Sequence, residues 1–239
     1  MDELTKTVDA LMAAHRWEEA ETLLTARMAD AAAAGNAAGE LSLCSELLGL
    51  YRMRGDPRFF SIRERTDTLL ESVSMSRQTR GTILVNEATG LAAFGRPEEA
   101  LDVYKQAEVL LRASLPRGDF RLAALYNNMS AAWSALKRWP EAESCLLQAL
   151  EILRLTPFHP DVATSCLNLA QLYAASSAED ERIGKYLDRA MEWLDQPEMV
   201  WDAYYAHTAE KCAGGFAALG RPQEAAELLE RAEWINAGP

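Results

Sequence analysis

The strongest hydrophobic pattern in the chain lies between Leu125 and Tyr173. Its first part places apolar side chains at helical spacing, at Leu125, Met129, Ala132, Trp133 and Leu136. Its second part continues this period through Ala142, Cys145, Leu146, Ala149, Leu150 and Leu153. Between them lies a short polar turn with Pro140, and proline is well tolerated in the first turn of a helix. The pattern predicts two amphipathic helices whose apolar stripes must pack on further elements.

This helix–turn–helix pattern recurs along the whole chain. A large apolar residue marks the front helix of six repeats, at Leu11, Tyr51, Leu91, Trp133, Tyr173 and Phe216, with spacings of 40, 40, 42, 40 and 43 residues. Five turns align with one another, and they begin at His15, Gly55, Gly95, Lys137 and Gly220. The back helix opens with Glu-Ala in four repeats, at Ala20, Ala100, Ala142 and Ala225. Self-similarity at such a period is typical of stacked helical repeats.

These residues resemble the tetratricopeptide repeat (TPR) family. The front-helix pattern of that family is partly met by Cys166, Leu169, Ala170 and Tyr173, and again by Tyr126, Met129, Ser130 and Trp133. The family period is about 34 residues, and the longer period here is similar to the kinesin-light-chain subclass, as is the run from His159 to Ala163. The resemblance implies an all-α fold, a right-handed superhelix (α-solenoid) of about six antiparallel helix pairs forming one domain over residues 1–239.

The repeat register also predicts where each helix begins and ends. The expected pairs are 3–14 with 17–34, 37–54 with 58–73, 77–94 with 97–114, 119–136 with 140–155, 161–175 with 180–195, and 198–219 with 222–236. Two places depart from the pattern. The second back helix has Phe60 where alanine is expected, and the fifth turn, Ser176 to Arg182, has an extra residue that puts Ile183 at the alanine site.

Charge and composition narrow the possible partners. The chain has 36 acidic and 24 basic residues and a net charge of −12, whereas a nucleic-acid surface needs a basic patch. Its start shows no basic segment followed by an apolar run, and no apolar run approaches the roughly 20 residues of a spanning helix. We therefore expect a cytoplasmic protein with no nucleic-acid or membrane partner. The four cysteines should be buried, reduced thiols inside helices, at Cys44, Cys145, Cys166 and Cys212.

The sequence offers no arrangement that would support catalysis or metal binding. The three histidines, His15, His159 and His207, lie in different repeats and form no metal-binding pair. A nucleophile with a nearby base and an orienting group is missing, as is a glycine-rich phosphate loop. Gly214 and Gly215 lie within a helix, where they are expected to allow a close helix approach. We expect no enzyme activity, no cofactor and no metal.

A local basic segment stands out in this acidic chain. Residues 52–80 contain seven arginines and four acidic residues. One interpretation is a solvated face with ion pairs between helical neighbours, such as Arg63 with Asp67. The alternative is a docking patch for an acidic or phosphorylated segment. The sequence favours the first interpretation.

The resemblance also implies a peptide-binding site, because the front helices of the family line its concave groove. One groove register is occupied by Asn86, Asn128 and Asn168, and in the second and sixth repeats by Glu46 and Lys211. Nearby groove positions are Thr82, Asn127, Thr164 and Gln171. The asparagines either hold a peptide backbone or form bonds between repeats that brace the stack. The two-carboxylate clamp of some family members needs Lys and Arg beside such asparagines, and that specificity is not expected here.

The resulting prediction is a non-enzymatic scaffold that binds a protein or peptide in the groove. A structural self-association module is the first alternative, since Trp234 lies off the apolar stripe of the last helix and should be exposed unless another chain covers it. A homo-oligomer through this C-terminal helix is therefore possible. The second alternative is a peptide-sensing regulatory protein that acts with a separate effector.

Overall fold

The computed structural model describes residues 3–155, 160–177 and 180–238. Within these ranges the chain forms twelve α-helices and no strand. Contacts between residues divide the chain into two compact units, residues 1–114 and 115–239. The predicted all-α class, built from consecutive helix pairs, is confirmed. The organisation of residues 1–239 as a single domain stays a prediction.

The first unit contains three helix pairs. Its helices are α1 (Glu3–Ala13), α2 (Trp17–Ala33), α3 (Ala37–Arg54), α4 (Phe59–Ser72), α5 (Arg77–Ala93) and α6 (Pro97–Arg112). Each odd-numbered helix packs on the even-numbered helix that follows it, and α3 also contacts α5. The odd-numbered helices are the predicted front helices, so α3 and α5 lie side by side in the front layer of this unit.

The second unit repeats this arrangement. Its helices are α7 (Phe120–Ala135), α8 (Trp139–Leu153), α9 (Asp161–Ser176), α10 (Arg182–Leu194), α11 (Ala203–Ala218) and α12 (Pro222–Ala237). The pairs are again consecutive, and α9 contacts both α7 and α11. Three front helices, α7, α9 and α11, therefore lie next to one another in this unit.

Side-chain caps explain where several front helices begin. Asn36, Ser76 and Asp119 each accept a hydrogen bond from a backbone N–H in the first turn of α3, α5 and α7. Asp202 accepts from two such groups in α11, which therefore begins at Ala203. The prediction that this helix begins at residue 198 is wrong, because Asp202 satisfies the first N–H donors and residues 195–201 are in turns or have no regular secondary structure.

The buried residues follow the repeat register. Ala20, Ala100 and Ala142 are fully buried at the predicted helix crossings, and Ala225 is nearly so. In the second unit, Ala142 and Leu146 of α8 form one apolar cluster with Leu169, Leu172 and Tyr173 of α9. Ile183, which replaces the expected alanine, packs against this cluster. All four cysteines are buried and free of disulfide bonds, as predicted.

The second back helix, which lacks the expected alanine, packs against its neighbours in a different way. Phe59 is fully buried and Phe60 only partly so, and both rings contact Phe94. A Cβ atom on Gly90 of α5 would overlap the ring of Phe59. The glycine therefore provides the space that the alanine provides in other repeats.

Candidate binding site on the front helices

The predicted asparagine register places two side chains in bonds between neighbouring front helices. In the first unit, Asn86 of α5 is exposed and its Nδ2 donates to Oγ of Ser45 on α3, 3.1 Å away. In the second unit, Nδ2 of Asn168 on α9 donates to Oδ1 of Asn127 on α7 at 2.9 Å. The partner of Asn168 is thus Asn127 rather than Asn128, the residue that the sequence placed in this register.

Asn127 connects further groups in the same layer. Its Nδ2 donates to Oγ of Ser165 on α9 at 2.8 Å and to the carbonyl oxygen of Ala123 at 3.2 Å. These bonds join consecutive repeats, as the bracing interpretation expects. A carboxamide has two N–H donors and an oxygen acceptor, so Asn86 and Asn168 still have hydrogen-bonding capacity beyond the bonds described. Peptide binding by these residues stays a prediction.

The remaining predicted site residues differ in accessibility. Glu46, Thr82, Gln171 and Lys211 are exposed on front helices. The hydroxyl of Thr82 donates to the carbonyl oxygen of Gln78 in its own helix at 3.0 Å. Thr164 is only 6% exposed and lies beside the thiol of Cys212, where it contributes to packing between α9 and α11. Burial raises the pKa of that thiol to about 11, so the group is neutral and unreactive near pH 7.

A pocket that the register did not predict lies between α3 and α5. Its volume is about 380 Å³. Leu41 and Ile83 are buried at its base, whereas Val73 and Met75, from the segment between α4 and α5, form an apolar wall. Glu46 also lines it. The sequence signal that could have indicated this pocket is the presence of apolar Val73 and Met75 in a helix break, where polar residues are usual.

The basic segment is an ion-paired face. Nε of Arg65 on α4 lies 2.6 Å from Glu40 on α3, and Nε of Arg63 lies 2.7 Å from Glu87 on α5. The predicted pair of Arg63 with Asp67 is present at 4.0 Å. Further arginines are also bonded: Arg54 to Glu18 and Glu21, Arg58 to Asp56 and Glu21, and Arg80 to the carbonyl oxygen of Leu70. These contacts favour the solvated, ion-paired interpretation over a docking patch.

Other kinds of site find no support in the described ranges. No three His, Cys, Asp or Glu side chains there are grouped so that they could hold a metal ion. His207 is exposed on α11, His15 lies in the first turn, and His159 falls outside the described residues. Within the same ranges, none of the helices has the length and apolar character needed to cross a bilayer.

Comparison with known proteins identifies the repeat. Residues 121–192, which cover α8 and α9 with most of α7 and α10, match the sequence model named tetratricopeptide repeat. These residues are tetratricopeptide repeats. No curated protein matches the sequence of the chain.

Two crystal structures extend the likeness at the level of the fold. BtubC (BKLC) from P. vanneervenii is 20% identical with a TM-score of 0.58, over 99% of this chain and 92% of its own. A Podosopora anserina protein, described as a kinesin light chain with nearly identical TPR-like repeats, is 21% identical with a TM-score of 0.57, over 82% of this chain and 95% of its own. The predicted TPR resemblance is confirmed, and the likeness to kinesin-light-chain-type repeats holds at the level of the fold.

The TPR fold narrows the class of function. TPR proteins are in general non-catalytic scaffolds for protein interactions, and the fold of this chain fits that class. Both the asparagine bonds and the pocket lie in its front-helix layers. The front helices are therefore the candidate binding surface.

Proposed function

We propose that this chain is a non-enzymatic, cytoplasmic TPR scaffold that binds an extended peptide segment of a partner protein on its front helices. The supporting observation is the first unit's front layer, where exposed Asn86 is bonded to Ser45 at the edge of the α3–α5 pocket. A carboxamide can pair with both the N–H and the C=O of a peptide backbone. The adjacent pocket can take a side chain.

The second unit supplies a matching row of polar groups. Asn127, Asn128 and Asn168 lie on α7 and α9, and Gln171 and Lys211 are exposed near them. Packed helices are about 8–10 Å apart, and an extended strand advances about 3.3 Å per residue. One asparagine would therefore meet roughly every third peptide residue within a unit. The net charge of −12 argues against nucleic acid as the partner.

The experiment must separate peptide binding from bracing of the repeats. A partner is first recovered by pull-down with the full chain, and the affinity of its binding peptide is measured for Asn86→Ala, Asn128→Ala and the Asn86, Asn128, Asn168 triple alanine variant. Each lost hydrogen bond should weaken binding by about 0.5–1.5 kcal/mol. Asn236→Ala is the control, because that side chain bonds to Glu210 on α11 from α12.

Serine variants provide the second part of this experiment. Ser45→Ala and Ser165→Ala remove the partners of Asn86 and Asn127 but keep both asparagines. If the asparagines bind peptide, the serine variants keep most of the affinity. If they only brace the repeats, Ser45→Ala and Asn86→Ala lower the melting temperature equally, and the triple variant binds normally whenever it is folded. The second pattern would refute the proposal.

A specific observation supports self-association as a second candidate function. Trp234 on α12 is 68% exposed, which confirms the predicted exposure, and its ring contacts Trp201, itself 43% exposed. Arg231 lies over the Trp201 ring, 5.3 Å from its centroid. Tryptophan and arginine are enriched among the residues that dominate protein interfaces. We infer that this surface is the first candidate for contact between two copies of the chain.

Light scattering tests the second candidate. The full chain should show a concentration-dependent increase in mass, and Trp234→Glu should abolish it. Val109→Glu is the matched control, because Val109 is equally exposed on α6 of the first unit. A chain that stays monomeric at high concentration, or that is equally sensitive to both variants, would eliminate this surface as a self-association site.

A further inference from the structure

Two pockets lie on either side of one stretch of α3. The larger is the α3–α5 pocket of about 380 Å³, and the smaller, of about 200 Å³, lies between α1, α2 and α3. Ser42 and Glu46 line both of them. An extended chain that crosses α3 at these two residues would pass over both pockets.

The lining of the larger pocket suits one large apolar side chain. Leu41 and Ile83 close its base and half-buried Val73 and Met75 form its wall. Ligand pockets in proteins usually have volumes of about 300–1,000 Å³ with mostly apolar walls. Polar groups stand around the rim, among them Thr79, Thr82 and Ser45. These hydroxyls can bond the backbone of a peptide whose side chain enters the pocket.

The charge at the rim determines what can flank that side chain. Glu46 is the one charged residue among the described residues that line the two pockets. Because it is exposed and lies next to both, it would attract a lysine or arginine of the bound segment and repel an acidic residue. The net charge of the chain, −12, adds to this preference at longer range.

We propose that the α3–α5 pocket is an anchor site for one large apolar side chain of an extended peptide, and that Glu46 selects lysine or arginine next to that side chain. This inference rests on the proposed function, because it assumes that peptides bind on the front helices. It adds the chemical class of the partner segment, which is apolar and basic.

The probe is a short fluorescein-labelled peptide with a central phenylalanine between two lysines. Two comparison peptides replace either the lysines with glutamate or the phenylalanine with serine. Binding to the full chain is followed by fluorescence anisotropy and by the ¹³C-methyl NMR signal of Met75, assigned with Met75→Leu. The lysine–phenylalanine peptide should bind most tightly and should shift the Met75 signal, because Met75 is part of the pocket wall.

Two variants test the two parts of the site separately. Glu46→Gln should weaken the lysine peptide about two- to fivefold, the size of an exposed ion pair, and the effect should decrease at high salt. It should not weaken the glutamate peptide. Ser42→Trp places a large ring at the shared rim and should weaken every phenylalanine peptide about tenfold or more. Glu64→Gln is the control, since Glu64 is an exposed carboxylate on α4, a back helix.

The outcomes distinguish this inference from the proposed function. Equal affinity for the lysine and glutamate peptides, an unshifted Met75 signal, or equal effects of Glu46→Gln and Glu64→Gln would overturn the anchor site. If a recovered partner binds folded Ser42→Trp normally but loses affinity for the triple asparagine variant, the anchor site is wrong and the proposed function stands. If neither Ser42→Trp nor the triple asparagine variant changes the affinity of the recovered partner, both the anchor site and the proposed function are wrong.

Discussion

In five of the turns between paired helices, the ones that align in the sequence, the first residue adopts the same unusual backbone conformation. In three repeats it is a glycine, Gly55, Gly95 or Gly220, with φ between 62° and 79°. In two others it is His15 or Lys137, with φ of 55° and 57°. A non-glycine residue in the left-handed region costs about 1–2 kcal/mol. The geometry of the helix pair therefore imposes this conformation, whichever residue is present.

Two glycines in neighbouring front helices, one register position apart, provide a residue-scale prediction. Gly49 of α3 and Gly90 of α5 are 41 residues apart, and a Cβ atom on Gly49 would meet nothing within 4 Å. A Cβ atom on Gly90 would overlap the fully buried Phe59 ring. We expect Gly90→Ala to lower the free energy of unfolding by about 1–3 kcal/mol through overpacking. Gly49→Ala should raise it by about 0.5–1 kcal/mol through helix propensity.

Urea unfolding of the two variants measures both effects. The same substitution is made in the same type of helix, so helix propensity is equal and the difference reports the contact with Phe59. Two variants of equal stability would show that the Phe59 ring can move away at little cost.

These residues also show what a sequence pattern can and cannot predict. The register located the helix pairs and the alanine crossings, because periodic apolar residues and turn signals are local. It identified the exception at Phe60 but not its solution, since Phe59 fits against Gly90 across two helices. It also placed Asn128 where Asn127 bonds to Asn168, because a one-residue shift on a helix surface depends on how the helices are rotated.

At the scale of helices, an arginine in the turn recurs with a glutamate three residues later. The pairs are Arg16 with Glu19, Arg96 with Glu99, Arg138 with Glu141, and Arg221 with Glu224. Each glutamate belongs to the Glu-Ala that opens the back helix. A negative charge near the N-terminus of a helix stabilises that helix. In the exposed turns these ion pairs contribute little stability individually. They explain why Glu-Ala repeats with the turn.

The second and fifth repeats, which lack Glu-Ala, share a different arrangement. Asp56 and Asp180 accept hydrogen bonds from the backbone N–H and the guanidinium of Arg58 and Arg182, respectively. Each arginine also lies over a tyrosine of the preceding front helix and pairs with a glutamate of the preceding back helix. The partners are Tyr51 and Glu21 for Arg58, and Tyr173 and Glu143 for Arg182. Both exceptions in the sequence therefore correspond to one alternative way of joining consecutive repeats.

Two buried glutamates are paired with arginines of α4, and we expect their contributions to stability to change with pH in opposite directions. The guanidinium of Arg65, which donates to both oxygens of Glu40, lowers the pKa of that carboxyl. Burial raises the pKa of Glu87, although Arg63 bonds to its Oε1; its Oε2 has no hydrogen-bond partner among the described residues. A lowered folded-state pKa gives stability that is lost as the carboxylate protonates in acid. A raised folded-state pKa lowers stability while the carboxylate is charged, and that stability is regained as the carboxylate protonates in acid.

The test compares Glu40→Gln and Glu87→Gln with the unmodified chain in thermal melts between pH 7 and pH 3. As the pH falls below the ordinary glutamate value of about 4.5, the unmodified chain should lose stability relative to Glu40→Gln. It should gain stability relative to Glu87→Gln, starting above that value, because protonation relieves the buried charge. Parallel pH profiles for the two variants would contradict the prediction.

At the scale of the whole chain, helical repeats are held together mainly by contacts between neighbours. Each repeat of such a protein buries its apolar face against the adjacent ones, so stability is a sum of local terms. The repeat register placed a helix break between residues 114 and 119, but periodicity alone gave no reason to divide the chain into two units there. The division after Ser114 depends on contact density, which the repeat register does not contain.

The charge of the whole chain bears on its partner as well. A net charge of −12 would favour association with basic segments and slow association with acidic ones, especially at low salt. The rim carboxylate of Glu46 acts in the same direction at short range. Long-range and local electrostatics thus both support the basic segment proposed above.

The last prediction concerns fragments. Residues 1–114 and 115–239 each keep their internal contacts, so both fragments should fold alone and should show helical circular dichroism with a cooperative melt. A cut after Leu155 is the matched control, because it separates Ala142 and Leu146 of α8 from Leu169, Leu172 and Tyr173 of α9. Exposing that cluster removes about 25 cal/mol of stabilisation for each Å² of apolar surface. The fragment 115–155 should therefore be largely unfolded. An unfolded 115–239 fragment, or a well-folded 115–155 fragment, would show that contacts within the unit do not determine its stability.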